Sequence, residues 1–563
     1  MKVIIVGGVA GGATAAARIR RLDEHAEITV FERSGYISYA NCGLPYYIGD
    51  VITDPEELTL QTPESFFKRF RINMKIHHEV ISIHPECKTV SVKNLENGEI
   101  FEENYDKLIL SPGAKPTQPR LPGVCIDKLF TLRTVEDTFR IKEYINKNHP
   151  KSAVLAGGGF IGLELAENLR ELGMDVTIVQ RPKQLMNPFD PDMASMIHNE
   201  MRKHGIKLVL GYTVEGFKEK DNGVEVLLKD NPSLQADMVV LAIGVTPDTV
   251  LAKEAGLELG IKESIVVNDR METSVPDIYA AGDAVQVKHY VTGNDALISL
   301  AGPANKQGRI IADNICGGDS RYLGSQGSSV IKVFDMTAAT TGINETNAKK
   351  SGLEVDTVIL SPMSHAGYYP GGKVMTMKVI FEKESYRLLG AQIIGYEGVD
   401  KRIDVLATAI HAGLNATQLK DLDLAYAPPY SSAKDPVNMA GFMIDNIAKG
   451  TLKQWHLEDM DKISKDKDVV LLDVRTVGEF SRGHIDGFKN IPVDELRERI
   501  SEIEKGKPVY LICQSGLRSY IASRILEGNG YETYNFSGGF RFYDAVVNDR
   551  ALIERAYACG MDY

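Results

Sequence analysis

The sequence predicts an α/β protein of several domains, two of them built on parallel sheets of one type. Three observations point there. Lys2-Val3-Ile4-Ile5-Val6 is an apolar strand that enters the turn Gly7-Gly8-Val9-Ala10-Gly11-Gly12 and then a helical stretch over 13–22. The same order recurs at Ser152-Ala153-Val154-Leu155-Ala156, the turn Gly157-Gly158-Gly159-Phe160-Ile161-Gly162 and an amphipathic stretch behind it. Far downstream, Val509-Tyr510-Leu511-Ile512 delivers Cys513-Gln514-Ser515-Gly516-Leu517-Arg518-Ser519 into another helix. Strands alternating with helices across glycine turns indicate parallel sheets with helices on their faces.

Each glycine turn has a physical reading. Glycines let the backbone approach a pyrophosphate, and the helix behind them offers unpaired N–H groups at the positive end of its dipole. The strand 28–32 then ends in Glu32, where a carboxylate can accept hydrogen bonds from a ribose. Val9 stands where the usual pattern has its middle glycine, whereas the second turn is a full G-x-G-x-x-G. Recurrence predicts two Rossmann-like dinucleotide-binding domains. At the second site the strand 176–180 ends in Gln180-Arg181 with no acid. A carboxylate there would repel a 2′-phosphate, so Arg181 leaves NADH and NADPH both open.

Composition narrows the partners. The chain has 563 residues, 43% hydrophobic and 25% charged, enough for three to four domains with sizeable cores. A formal charge of −12 argues against nucleic-acid or anionic-membrane binding and favours a small-molecule partner. Six unevenly spaced cysteines are too few for a disulfide scaffold and fit a reducing compartment. An immediate apolar strand after Met1-Lys2, with no apolar run of membrane length, predicts a cytoplasmic protein. No metal site is predicted.

Two solitary cysteines suggest sulfur chemistry. Cys42, in Ser38-Tyr39-Ala40-Asn41-Cys42-Gly43-Leu44-Pro45, and Cys513, read as exposed, both lack a Cys-x-x-Cys partner. For Cys42 a sulfenic acid, a mixed disulfide with a small thiol and an inert core cysteine are all open. Cys87, Cys125, Cys316 and Cys559 have no comparable surroundings and are read as structural.

Thr273 to Asp283 resembles the segment by which two-dinucleotide flavoprotein reductases, the pyridine nucleotide-disulfide oxidoreductases, hold FAD. Ser111-Pro112-Gly113-Ala114 and Ala242-Ile243-Gly244-Val245 resemble the crossovers between their FAD and nicotinamide domains. The resemblance implies an FAD-binding domain over 1–150 and 240–325, an NAD(P)H-binding domain over 151–239 and an α+β dimerisation domain over 326–450. The implied FAD contacts are Gly7, Gly8, Val9, Ala10, Gly11, Gly12, Glu32, Arg33, Asn41, Cys42, Val80, Ser111, Gly113, Gly282, Asp283, Ala301 and Tyr426. Those for NAD(P)H are Gly157, Gly158, Gly159, Phe160, Ile161, Gly162, Glu164, Gln180, Arg181 and Gly244.

Disulfide reductases of this superfamily carry two cysteines in the loop that holds Cys42; here Tyr47 occupies the second position. Peroxidases and water-forming oxidases carry a histidine in the first glycine turn, where this chain has Ala10. The combined pattern resembles coenzyme A disulfide reductase, in which the cysteine cycles through a mixed disulfide with CoA. Thr14, Arg18 and Arg21 share one helical face. The resemblance makes them CoA contacts together with Ser38, Asn41, Arg69, Arg71 and Lys434. It also implies that Tyr368 and Tyr426 reach across a homodimer interface to the cysteine and flavin. A departing thiolate needs a proton, and the Cys42 loop has no obvious acid.

After a charged stretch read as a linker over 451–467, residues 468–563 resemble a C-terminal α/β rhodanese domain. Cys513 is its sulfur carrier, in the loop Gln514, Ser515, Gly516, Leu517, Arg518 and Ser519. Inward N–H groups, the helix dipole and Arg518 favour a thiolate or persulfide there. The fusion implies NAD(P)H-dependent reduction of CoA persulfide, CoA disulfide or polysulfide. An oxidase or peroxidase using a Cys42 sulfenate, and a non-catalytic flavin-based sensor, are the alternatives.

Overall fold

The computed structural model describes residues 1–220 and 223–559, with side chains as far as Arg555. The chain divides into two compact units, residues 1–182 with 205–327, and residues 183–204 with 328–563.

The first unit holds two parallel five-stranded sheets. One runs Ile278–Ala280, Lys107–Leu110, Lys2–Val6, Glu27–Phe31, Asn73–Lys75. Its central strand places Val3, Ile4 and Ile5 wholly out of water, as a strand covered on both faces requires. Helix Ala10–Leu22 packs beside helix Ala301–Ile315, and Arg20 fixes its far end by donating to the carbonyls of Phe70, Ala26 and Arg71. Val80, expected at the flavin, is buried in the strand His78–His84.

The other sheet runs Lys207–Leu210, Asp175–Gln180, Ser152–Ala156, Met238–Leu241, Leu129–Thr131. Its edge strand, Leu129–Thr131, falls inside the span expected for the first domain, and Met238–Leu241 straddles the boundary expected at 239. Pairing across the sheet, which local composition does not report, sets both limits. Residues 183–204 also leave their expected domain for the second unit. There the buried His198 Nδ1 donates to Asp549 Oδ2 (2.8 Å) while Nε2 accepts from the Leu185 N–H (3.0 Å).

The second unit contains an antiparallel sheet, Ser329–Val333, Met336–Gly342, Leu388–Gly395, Thr376–Glu382, Val355–Leu360. Its last sheet is parallel and runs Gln454–Trp455, Thr533–Phe536, Val509–Ile512, Val470–Asp473, Lys489–Asn490. The expected linker is therefore structured. Gln454–Trp455 is an edge strand and the Trp455 ring is buried against Phe488, Tyr510 and Phe536. Charge density in 458–468 concealed an anchor that precedes it. The side chain of Cys559 lies outside the described residues.

No helix of the described residues is long and apolar enough to cross a membrane.

Candidate functional sites

Both glycine turns are shaped by close backbone approach. Gly7 has φ +96°, and a Cβ on it would stand 2.1 Å from the Ser111 carbonyl oxygen; one on Gly12 would stand 1.9 Å from that of Gly7. In the second turn, a Cβ on Gly157 (φ +119°) would meet the Ala242 oxygen at 2.2 Å. Gly159 differs, because a Cβ there would touch nothing within 4 Å. Packing does not demand that glycine, whereas the approach of a pyrophosphate would. Helices Ala10–Leu22 and Phe160–Glu171 both begin without a side-chain cap or an acid in the first turn. Their leading N–H groups suit an anionic ligand.

The strand-end residues differ in charge but not in placement. Buried Glu32 accepts from the Gly8 N–H at 2.8 Å and Gln180 accepts from the Gly158 N–H at 3.1 Å. Arg181 is exposed. Gly244 accepts through its carbonyl from the Thr117 N–H (2.9 Å), and Gly113 has φ +71°. Asp283 receives Arg133 at 2.6 Å, the Gly282 N–H donates to Gln307, and exposed Ala301 opens its helix. Arg33 pairs with Asp248 at 2.8 Å.

Cys42 lies in the single turn Asn41–Gly43 that leads into helix Leu44–Ile48. Burial of the sulfur's surroundings pushes the thiol above its ordinary range, and the Glu164 carboxylate reinforces this against Arg133. Tyr46, one helical turn after Cys42, donates to Glu164 at 3.4 Å. Burial pushes the Glu164 carboxyl up to about 7. Tyr47 packs edge-on against Phe139, with ring centres 5.6 Å apart. The sequence marks Glu164 as a nicotinamide contact alone; its partner Tyr46 is 118 positions away. Above pH 7 the ionised Glu164 opposes the Cys42 thiolate. Glu164→Gln is therefore expected to raise alkylation of Cys42 by iodoacetamide about three- to tenfold at pH 8. The two proteins should converge below pH 6, where the native acid is neutral. Equal rates at pH 8 would exclude the coupling.

The helix face expected to bind CoA is partly committed within the fold. Thr14 Oγ1 donates to Asn305 (2.6 Å) and Arg18 Nε to Asp313 (2.7 Å), while Arg21 is exposed. The Ser38 N–H donates to Gly8 O (2.8 Å), which joins the cysteine loop to the first turn. Arg69 lies in the last turn of helix Pro63–Phe70, and Arg71 lies over the Phe67 ring.

In the second unit the two tyrosines meet, with Tyr368 Oη and Tyr426 Oη 2.6 Å apart. Both are exposed, at 76% and 45%. A residue the sequence did not mark holds their loops together. Buried Arg402 donates to the carbonyls of Ser364 and Tyr430, to Ser431 Oγ and to Asp435 Oδ2, at 3.0–3.2 Å. Its only sequence signal is a lone guanidinium on a helix face shared with Val399, Ile403 and Leu406. Lys434, beside Asp435, is exposed.

Cys513 is fully buried, a correction to its reading as exposed. Its sulfur accepts from the Gly516 N–H (3.1 Å) and the Ser519 hydroxyl (3.2 Å). Gly516 turns the chain into helix Leu517–Glu527 with φ +94°. Arg518, expected to favour a thiolate there, is paired with an acid. Both terminal nitrogens donate to Glu479 at 2.7 Å, and this pair holds the Glu479 carboxyl down to about 2. The guanidinium is bound to an acid 39 residues earlier, a pairing invisible locally. Below the loop, Arg475 and Asp473 form a buried pair beneath the Phe540 ring.

A family model described as pyridine nucleotide-disulphide oxidoreductase matches residues 1–308. The dimerisation domain of that family matches 328–436, and a rhodanese-like domain matches 456–545. The chain belongs to the pyridine nucleotide-disulphide oxidoreductase family and is an FAD- and NAD(P)H-dependent oxidoreductase carrying a rhodanese domain.

Among curated proteins it resembles Coenzyme A disulfide reductase of Staphylococcus aureus (strain JH9). The two are 38% identical over 442 residues, 78% of this chain and 99% of that one. Among solved structures, reduced CoADR-RHD of Bacillus anthracis is 49% identical with a TM-score of 0.95, over 98% of each chain. An NAD-dependent persulfide reductase from A. fulgidus is 39% identical with a TM-score of 0.90, over 96% of this chain and 100% of that one.

Proposed function

We propose that this protein uses NAD(P)H to reduce CoA persulfide, CoA disulfide or polysulfide through Cys42, with Cys513 carrying sulfane sulfur. The observation that carries this reading is the unpaired Cys42. Its loop holds no second cysteine, and Tyr47, at the alternative position, is packed on Phe139. The second sulfur must then come from the substrate. Similarity to a CoA disulfide reductase and a persulfide reductase over most of the chain supports CoA as its carrier.

FAD, when bound, supplies the path for an electron pair from the nicotinamide to sulfur. The open space at Gly159 and the two uncapped helix starts fit two dinucleotides, with Glu32 and Asp283 toward the flavin side and Gln180 and Arg181 toward NAD(P)H. The Cys42 thiolate displaces CoA thiolate from CoA disulfide, or hydrosulfide from CoA persulfide. Either displacement forms a mixed disulfide between Cys42 and CoA. Two electrons and one proton then return Cys42 thiolate and release CoA thiol. Tyr368 and Tyr426 are the proton donors to the departing sulfur, acting across the interface of a homodimer, which the match to a dimerisation domain supports. Thr14, Arg18, Arg21, Ser38, Asn41, Arg69, Arg71 and Lys434 bind CoA.

The test is anaerobic NAD(P)H oxidation by the purified yellow protein with CoA persulfide, CoA disulfide, elemental sulfur or peroxide. Turnover with a CoA sulfur substrate is expected, and turnover with peroxide alone would overturn the reading. In the same assay Arg181→Glu is expected to shift the NADPH-to-NADH ratio of kcat/KM about tenfold or more toward NADH. An unchanged ratio would dismiss Arg181 as the phosphate contact.

A further inference from the structure

The rhodanese domain presents a groove of about 530 Å³ on the outer face of helix Leu517–Glu527, lined by Arg497, Tyr520, Ile521, Arg524, Ile525 and Asn529. That volume lies in the range of small-molecule sites. The helix starts at the Cys513 loop, and Leu517, Ile521 and Ile525 recur every four residues along it. Leu517 is 65% exposed and Ile521 43% exposed, an apolar stripe left in water that leads away from the sulfur.

The charges are divided along this path. At the mouth of the loop Arg518 is paired with Glu479, and the pair brings no net positive charge. At the far end stand two guanidiniums in a chain of net charge −12. Arg497 has no acid partner among the described residues. Arg524 spends one nitrogen on Glu527 and the Thr451 carbonyl. From Leu517 to Arg524 the helix rises about 10 Å. An apolar track between a sulfur and two cations matches a thiol on a neutral arm that ends in phosphates.

We infer that this groove is a second CoA site, which docks the nucleotide of CoA persulfide at Arg497 and Arg524 and lays its pantetheine arm along Ile521 and Leu517 toward Cys513. The inference rests on the proposed CoA sulfur chemistry and adds a site distinct from the one at Cys42. The Cys513 thiolate attacks the outer sulfur of CoA–S–SH. A Cys513 persulfide forms, the S–S bond of the donor breaks, and CoA leaves as thiolate with no net redox change.

The test follows persulfidation of Cys513 by mass spectrometry in full-length holoprotein carrying Cys42→Ser. Donors are CoA persulfide, pantetheine persulfide, which lacks the nucleotide, and thiosulfate. CoA persulfide is expected to react at least tenfold faster than pantetheine persulfide. Arg497→Glu should bring that ratio close to one, and Ile521→Asp should slow both persulfides. A ratio that Arg497→Glu leaves unchanged, or thiosulfate as the fastest donor, would overturn the site. NAD(P)H oxidation with CoA persulfide by the parent chain separates the two claims. If the parent turns over and the ratio is one, the groove fails alone; if the parent does not turn over, the CoA persulfide reading fails with it.

Discussion

Cys42→Ser is expected to lower NAD(P)H-dependent turnover of CoA disulfide or CoA persulfide by ~10³-fold or more, because no other sulfur stands in its loop to form the mixed disulfide. Serine keeps the shape of the turn Asn41–Gly43, so the yellow flavin spectrum should persist and loss of fold can be set aside. In the native protein the Cys42 thiol is pushed up by burial and by Glu164. Substrate reduction in the native protein should therefore rise with pH as that thiol ionises. The serine variant should show no such limb. Turnover within tenfold of native would remove Cys42 from the chemistry.

Tyr368→Phe combined with Tyr426→Phe is expected to lower kcat by ~10²–10⁴-fold, the usual worth of a positioned proton donor. The hydrogen bond shared with Tyr368 raises the Tyr426 phenol above its ordinary range, which keeps it protonated through neutral pH. A proton donor is lost as pH rises through its pKa. The native rate should thus fall on the alkaline side, and the double variant should lack that fall. A double variant with native kcat and native alkaline profile would reduce both tyrosines to surface residues. Because Arg402 clamps both loops through Ser364, Tyr430, Ser431 and Asp435, the pair's spacing depends on a buried residue that touches neither ring.

The parts of this molecule that were legible in its sequence are those where backbone geometry or chemistry restricts the residue type. Gly7, Gly12, Gly157 and Gly162 are legible because a Cβ at each would collide with a carbonyl oxygen. Cys42 and Cys513 are legible because nothing else does their chemistry, and Cys513 lies in a short loop between a strand and a helix. What escaped notice depends on partners distant in sequence. Arg518 carries no local sign of its acid partner Glu479. Glu164 looks like a nicotinamide contact until Tyr46 is found at its carboxylate. Arg402 is unremarked because a single arginine on an apolar helix face carries no local pattern. Residues 451–467 read as a linker because charge dominates their composition, yet Gln454–Trp455 forms the edge of the last sheet.

The two sulfurs differ in exposure. Cys513, read as exposed, is sealed beneath its loop with hydrogen bonds from Gly516 and Ser519, whereas Cys42 remains accessible to solvent. A substrate must therefore reach into the rhodanese loop but can approach Cys42 directly. Both placements suit a thiol carried on a long arm.

The central claim is that the second sulfur of the Cys42 redox pair belongs to CoA. It is tested most directly by mass spectrometry of the Cys42 peptide after the reduced holoprotein is mixed anaerobically with one equivalent of CoA disulfide. The account predicts a Cys42 adduct heavier by CoA less one hydrogen for each sulfur joined, released as free CoA on addition of NAD(P)H. Cys42 recovered unmodified, or bonded to another cysteine of the chain, would contradict it.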